Sequence, residues 1–171
     1  LSKKLKNCVK LKSGCKILVH PVKNPELYGV ADINSKNKII SIKEKPKKPK
    51  SNLAITGLYF FDNKVINYSK LLKSSKRNEL EIVDLLNRYR KKKKLIAEFL
   101  GRGGAWLDTG SINDFYNTSA FVSALENRQG LKIACLEEIA FNNKWISKKE
   151  IRDAINFYGN CMYSNYLKKL I

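Results

Sequence analysis

Between residues 53 and 125 the hydrophobic period of the chain switches repeatedly between that of a strand and that of a helix, and this alternation limits the fold more than any other feature. LAITGLYFFD (53–62) concentrates β-branched and aromatic residues and reads as a buried strand. NKVINYSKLL (63–72) follows as a short helix. NELEIVDLLNRYRKKKK (78–94) then carries Ile82, Leu85, Leu86 and Tyr89 at the i, i+3, i+4, i+7 spacing of an amphipathic helix, with acids early and bases late as the helix dipole prefers. LIAEFL (95–100) is another strand, and Ser111 with Asp114 three residues on forms a capping pattern for a helix whose apolar face runs through Ile112, Phe115, Val122 and Leu125. Strands alternating with helices predict an α/β domain with a mixed sheet, in which ligands gather at the carboxyl ends of strands.

The flanking segments fit the same class. Residues 1–14 are basic and aperiodic and read as a connector or the tail of another element. KILVHPV (16–22) has strand length, NPELYG makes a turn or a single helical turn, and VADI and KIISIKEKP form a hairpin around the polar residues 34–37, with Ile40 and Ile42 alternating against polar neighbours. Residues 46–49 form a surface loop. GLKIACLEEIAFNNKW predicts a short strand and a helix start, and residues 147–171 two closing helices. His20, the one histidine, falls in a predicted strand and reads as structural.

At 171 residues and 43% hydrophobic, the chain can bury a core. No apolar run approaches the roughly 18–20 residues of a membrane span, so no membrane role and a cytoplasmic location are expected. Cys8, Cys15, Cys135 and Cys161 lack the spacing of a zinc site or a disulfide framework. The formal charge of +19 suits a basic nucleic-acid-binding module, which a steep salt dependence would support. Against that, lysines greatly outnumber arginines, many Asn and Ile accompany them as in an AT-rich genome, and no aromatic residues interleave the runs at 47–50 and 91–94. A solvated basic surface is the favoured reading, with no specific nucleic acid expected. The first residue is Leu1 rather than Met, which leads us to expect the downstream part of a longer reading frame.

Three polar positions fall at strand ends or in adjoining loops: the Glu44-Lys45 pair, Arg77, and Asp108 within GRGGAWLDTGS (101–111). Asp108 stands beside Ala105, Trp106 and Leu107, where an uncompensated charge is costly and a partner is expected. A carboxylate, a lysine and an arginine suit a place where phosphate meets Mg²⁺, which takes oxygen ligands from one or two carboxylates and substrate phosphates. That is the chemistry of phosphoryl or nucleotidyl transfer. Gly101, Gly103 and Gly104 have the wrong spacing for a phosphate-cradling loop.

YGV (28–30), SIKEKP (41–46), SNLAITGLYFFD (51–62), RNELEIVDLLNRY (77–89), GRGGAWLDTGS (101–111) and LENRQGLKIACLEEIAFNNKWI (125–146) resemble, in order and spacing, the successive blocks of bacterial glucose-1-phosphate thymidylyltransferase. The resemblance covers nearly the whole chain but only the second, larger part of that family's enzyme. It implies the C-terminal part of a nucleotide-diphospho-sugar transferase-like mixed-sheet fold with C-terminal helices, residues 1–171 being the sugar-phosphate and metal-binding part of a single domain whose nucleotide-binding part is missing. It further implies formation of dTDP-glucose and pyrophosphate from dTTP and glucose 1-phosphate with Mg²⁺, a place in dTDP-rhamnose and polysaccharide biosynthesis, and a homo-oligomer, a tetramer in the family. Tyr28 and Gly29 would border the sugar nucleotide, Glu44 would accept hydrogen bonds from glucose hydroxyls, and Lys45 would hold the sugar phosphate. Ile55, where the family has valine, would line the pocket. Arg77 would neutralise phosphate and Asp108 would be one of two Mg²⁺ carboxylates. A regulatory nucleotide site would involve Gly101, Arg102, Gly103, Glu138 and Ile139. The family's glycine-rich loop, its thymine-reading residues and the partner aspartate are absent, so the isolated chain is expected to be inactive. A UTP- or ATP-dependent sugar-phosphate nucleotidyltransferase and a non-catalytic remnant stand as alternatives.

Overall fold

The computed structural model describes residues 2–171, with side chains from residue 4 onward. The described chain separates into two compact units, Leu1–Trp106 and Leu107–Ile171.

The first unit is a five-stranded sheet with helices. Its elements are α1 (Ser2–Val9), β1 (Cys15–Pro21), a 3-10 turn (Pro25–Leu27), β2 (Gly29–Ile33), β3 (Ile39–Glu44), β4 (Leu53–Phe61), α2 (Val65–Ser69), α3 (Ile82–Lys91) and β5 (Leu95–Phe99). The strand order is β3-β2-β4-β1-β5. β2 pairs antiparallel with β3 and β4, β1 pairs antiparallel with β4, and β1 pairs parallel with β5, so the sheet is mixed as the alternating periods predict. Val83, Leu85, Leu86 and Tyr89 of α3 bury against Ile17, Val19, Ala31, Ile42 and Ile55 of the sheet. Each such side chain contributes roughly 1.5–3 kcal/mol on burial. Burial also pushes the Cys15 thiol up to about 12, which leaves it an inert packing residue.

Asp62, just after β4, joins three parts of this unit. Its carboxylate accepts from Gly14 N at 2.7 Å, from the Tyr89 hydroxyl at 2.8 Å and from Lys64 N at 3.1 Å. The hairpin turn between β2 and β3 is organised by Asn34, whose Oδ1 accepts from the backbone N–H groups of Lys36 and Lys38.

Several local expectations are corrected. The segment 1–14 contains a helix: α1 buries Cys8, and Lys16 of β1 donates to the Asn7 carbonyl at 3.3 Å. Ile40 does not share a face with Ile42, because Asp32 pairs with Ser41 and Ile33 with Ile39. The resulting bulge turns Ile40 out to 51% exposure while Ile42 stays buried. The helix predicted over 78–94 begins at Ile82, since Asn78 adopts a left-handed backbone (φ 59°) and residues 75–81 form a turn instead. The strand predicted at 131–134 is absent from the described residues. There the Glu126 carboxylate accepts Ile133 N at 2.8 Å and Ala134 turns left-handed (φ 56°), so the segment has no free ladder to extend.

The second unit holds α4 (Ile112–Gln129), α5 (Leu136–Asn142), α6 (Lys148–Tyr158) and α7 (Met162–Lys168). Its core is Cys135, Ile151, Tyr166 and Leu167. Ser111 caps α4 through its side chain, as the sequence predicts, and Ser147 with Glu150 forms a full capping box on α6. The expected apolar face of α4 is not buried: Ile112 and Phe115 are exposed and the helix has no buried residue. No helix among the described residues is long and apolar enough to cross a membrane.

Candidate functional site

The β2–β3 hairpin builds one wall of a cleft. Its register sets Gly29 opposite Glu44, and the strand then leaves the sheet abruptly at Lys45, whose backbone is left-handed (φ 38°) and whose N–H donates to the Tyr28 carbonyl at 3.0 Å. Such a backbone is strained for lysine and persists only where its surroundings enforce it. A Cβ at Gly29 would stand 3.1 Å from Glu44 Oε2, 3.3 Å from Val83 Cγ2 and 3.8 Å from Ile55 Cδ1. The missing side chain at 29 is therefore what lets β3, β4 and α3 converge.

The facing wall is the turn 75–81. Ser75 Oγ accepts from Arg77 N at 3.1 Å and donates to Glu81 Oε1 at 2.9 Å, which fixes the turn ahead of α3. The Arg77 guanidinium lies 2.7 Å from Glu79, 3.6 Å from Glu81 and 3.7 Å from Glu44. Together these walls enclose a cleft of about 480 Å³ that also takes in Lys45, Pro46 and Val83. Glu44 is half-buried, and that burial, with Glu81 beside it, pushes its carboxyl above the usual carboxylate range even though Arg77 and Lys45 oppose the shift. Three carboxylates around one guanidinium make an acceptor-rich pocket with a cation at its rim. Sugar hydroxyls donate to such carboxylates, and phosphate takes the cation.

Tyr28 borders the same hairpin, and its ring meets that of Trp106 edge to face at 5.1 Å. Trp106 is held in turn by donation from its indole N–H to the Thr56 carbonyl at 3.2 Å. Tyr28, Gly29, Glu44, Lys45, Ile55 and Arg77, predicted from sequence, thus all lie in the first unit; Glu44, Lys45 and Arg77 line the cleft, while Gly29 and Ile55 pack beside Glu44. Glu79, Glu81, Val83 and Trp106 belong to the same surroundings and were not singled out by sequence reasoning. The run Arg77-Asn78-Glu79-Leu80-Glu81 carries acids at alternate positions, which is a signal of an extended turn rather than a first helical turn.

Asp108 lies in the second unit, in the loop before α4. It is exposed, contrary to the desolvated setting expected from its apolar neighbours, because Leu107 beside it is itself 42% exposed. Its carboxylate folds over Gly110, where a Cβ would meet Oδ2 at 3.0 Å, and its carbonyl accepts from the Thr118 hydroxyl at 3.3 Å. An exposed carboxylate backed by a glycine can offer oxygen to a hard cation; the described residues contain no group of three or more potential ligands. Gly101, Arg102 and Gly103 form a turn after β5, with Gly101 left-handed (φ 85°). Glu138 and Ile139 lie on α5, where Glu138 accepts from the Tyr166 hydroxyl at 2.6 Å.

The mixed sheet is that of a transferase, and the chain belongs to the nucleotidyl transferase family, whose sequence profile matches residues 1–124. Among its relatives is the glucose-1-phosphate thymidylyltransferase of Neisseria meningitidis, 42% identical over 167 residues, which cover 98% of this chain and 58% of that protein. The chain thus spans little more than half the length of this relative. A solved Bacillus anthracis protein, described as a glucose-1-phosphate thymidylyltransferase in complex with sucrose, aligns with a TM-score of 0.59 and 42% identity over 70% of this chain and 46% of that one. A UDP-glucose pyrophosphorylase solved with UDP-glucose aligns with a TM-score of 0.60 and 25% identity over 69% and 47% of the two chains.

Proposed function

We propose that this chain supplies the sugar-phosphate-binding residues for glucose-1-phosphate thymidylyl transfer, in which glucose 1-phosphate attacks the α-phosphorus of dTTP to give dTDP-glucose and pyrophosphate. The observation that carries this reading is the meeting of Glu44, Lys45 and Arg77 in one cleft, with Gly29 and Ile55 packed beside Glu44. Relatives bearing that name support the choice of base and sugar. In this reading Glu44, helped by Glu81, orients glucose by accepting from its hydroxyls, while Lys45 and Arg77 neutralise the sugar phosphate and hold it for in-line attack. Tyr28, braced by Trp106, would border the sugar nucleotide. Mg²⁺ would add charge neutralisation at the phosphates, with Asp108 offering one of its carboxylate ligands. Gly101, Arg102, Gly103, Glu138 and Ile139 would contribute to a regulatory nucleotide site, and the working assembly would be a homo-oligomer.

The test is calorimetric titration of the chain with glucose 1-phosphate, using glucose and inorganic phosphate as controls. Binding of the sugar phosphate that weakens at least 10-fold in Glu44→Ala and in Lys45→Ala supports the reading; binding indifferent to both variants sinks it. The UDP-glucose pyrophosphorylase neighbour favours uridylyl transfer as the second reading. Phosphorus NMR of reactions supplied with dTTP or UTP, with and without a separately supplied nucleotide-binding half from a relative, decides between the two by which sugar nucleotide forms.

A further inference from the structure

Behind the substrate cleft, across a wall formed by Lys43, Asp84 and Asn87, lies a second and larger cleft of about 900 Å³ between β3, α3 and the segment after α2. Six cations face it: Lys43, Lys73, Arg88, Arg90, Lys91 and Lys92, against the single carboxylate of Asp84. We propose that this cleft is a binding site for an oligophosphate anion, a di- or triphosphate chain, distinct from the Glu44–Arg77 cleft and independent of the function assigned to it.

Ordinary helix chemistry accounts for part of this charge, since Arg88, Arg90 and Lys91 in the last turn and Lys92 at the cap sit where cations complement the carboxyl end of α3. It does not account for Lys43 from β3 or Lys73 from the loop after α2, which converge on the same space. None of the six forms a salt bridge among the described residues, so the Asp84 carboxylate, the Tyr68 ring under Lys92 and solvent leave most of their mutual repulsion unrelieved. Two of them are nonetheless held in place by neutral acceptors. Arg88 Nη2 donates to the Leu71 carbonyl at 2.6 Å, and Arg90 donates from Nε to Asn87 Oδ1 and from Nη1 to the Ile40 carbonyl, both at 2.8 Å. A guanidinium fixed by carbonyls keeps its full charge and its remaining N–H donors, which is the preorganised state that phosphate oxygens select. The bulge at Ile40 is what frees that carbonyl to hold Arg90.

The aromatic content argues for a phosphate chain rather than a nucleic-acid strand. Tyr68 is the one ring in the lining; Lys92 Nζ lies over it at 5.0 Å and Tyr89 meets it edge to face at 5.1 Å. That ring has little open face for a base, whereas strand-binding grooves stack successive bases on exposed rings. The volume suits a small ligand.

The test titrates the chain with inorganic tripolyphosphate by calorimetry at low and moderate salt, alongside a nucleoside triphosphate and a single-stranded homopolymer oligonucleotide. The expected result is tripolyphosphate binding that weakens at least 10-fold in the triple variant Lys73→Ser, Lys91→Ser, Lys92→Ser, whose circular dichroism matches the parent because these lysines are exposed. Binding should persist in Lys45→Ala/Arg77→Ala, which separates this site from the substrate cleft. Equal affinity for tripolyphosphate and the nucleoside triphosphate assigns recognition to the phosphate chain, and tighter binding of the nucleotide assigns it to a nucleotide's phosphate tail. The proposal is overturned by three outcomes: no tripolyphosphate binding, binding unchanged in the triple variant, or displacement of tripolyphosphate by the oligonucleotide at lower phosphate concentration.

Discussion

Replacing Gly29 by alanine tests whether the cleft depends on the missing side chain. The backbone at 29 lies outside the left-handed region, so alanine meets no conformational strain, and by itself it would stabilise a strand residue by roughly 0.5–1 kcal/mol relative to glycine. The added Cβ, however, falls 3.1 Å from Glu44 Oε2 and 3.3 Å from Val83 Cγ2, a few tenths of an ångström inside ordinary contact. Val83 is 5% exposed and packed on the sheet, so the carboxylate is the group that gives way. Overpacking of this size costs about 1 kcal/mol, the low end of its usual range, and the two effects nearly cancel. Stability in urea should therefore change by less than about 1 kcal/mol, while affinity for glucose 1-phosphate falls about 10-fold, or roughly 1.4 kcal/mol, because Glu44 is displaced from its acceptor position. Unchanged affinity at unchanged stability would refute the argument. A stability loss of about 3 kcal/mol would refute it as well, by showing that the core yields instead of Glu44.

Glu44→Gln should gain stability relative to the parent as pH rises. The folded carboxyl titrates above its unfolded value, so its contribution is full below about pH 4.3 and is lost as pH rises through the folded value; urea midpoints at pH 4 and pH 7 that show no widening gap would contradict this. Tyr89→Phe removes a donor to Asp62, whose carboxyl is held below the usual range by the N–H of Gly14, by Tyr89 and by the N–H of Lys64, in spite of partial burial. The stabilisation from Asp62 is present above about pH 3.9 and is lost as pH falls through the folded value, so the variant should cost about 1 kcal/mol at pH 7 and nothing in strong acid, read from denaturation curves across pH. Ile151→Ala leaves a cavity beside Tyr166 and Leu167 and should destabilise the helical unit by about 3 kcal/mol, followed through Trp145 fluorescence; a loss under 1 kcal/mol would mean that the core collapses around the gap.

The parts of the fold that were legible from sequence are those where one short segment decides its own structure. β4 follows from its β-branched and aromatic content and α3 from periodicity, and the cap of α4 is set within four residues. Elements settled by a distant partner carry no such local signal. The segment 131–134 is taken out of a strand by Glu126, and Ile40 is turned out by pairing with β2. The candidate site divides along the same line. Glu44, Lys45 and Arg77 stood out as charged residues near strand ends, and the family resemblance gave them a shared purpose. Trp106 joins the site through its ring contact with Tyr28 and its bond to the Thr56 carbonyl, which no local pattern announces, whereas Glu81 meets Arg77 within the turn 75–81 that Ser75 fixes.

Lys45 shows how selection for robustness can mislead. Its left-handed backbone costs a lysine about 1 kcal/mol that a glycine would not incur. A screen of this chain for thermal tolerance alone should therefore enrich Lys45→Gly, a change that relaxes the chain and removes the cation next to Glu44. Under the proposed function, stability and ligand recognition demand different residues at this position, and lysine is the one that would serve recognition.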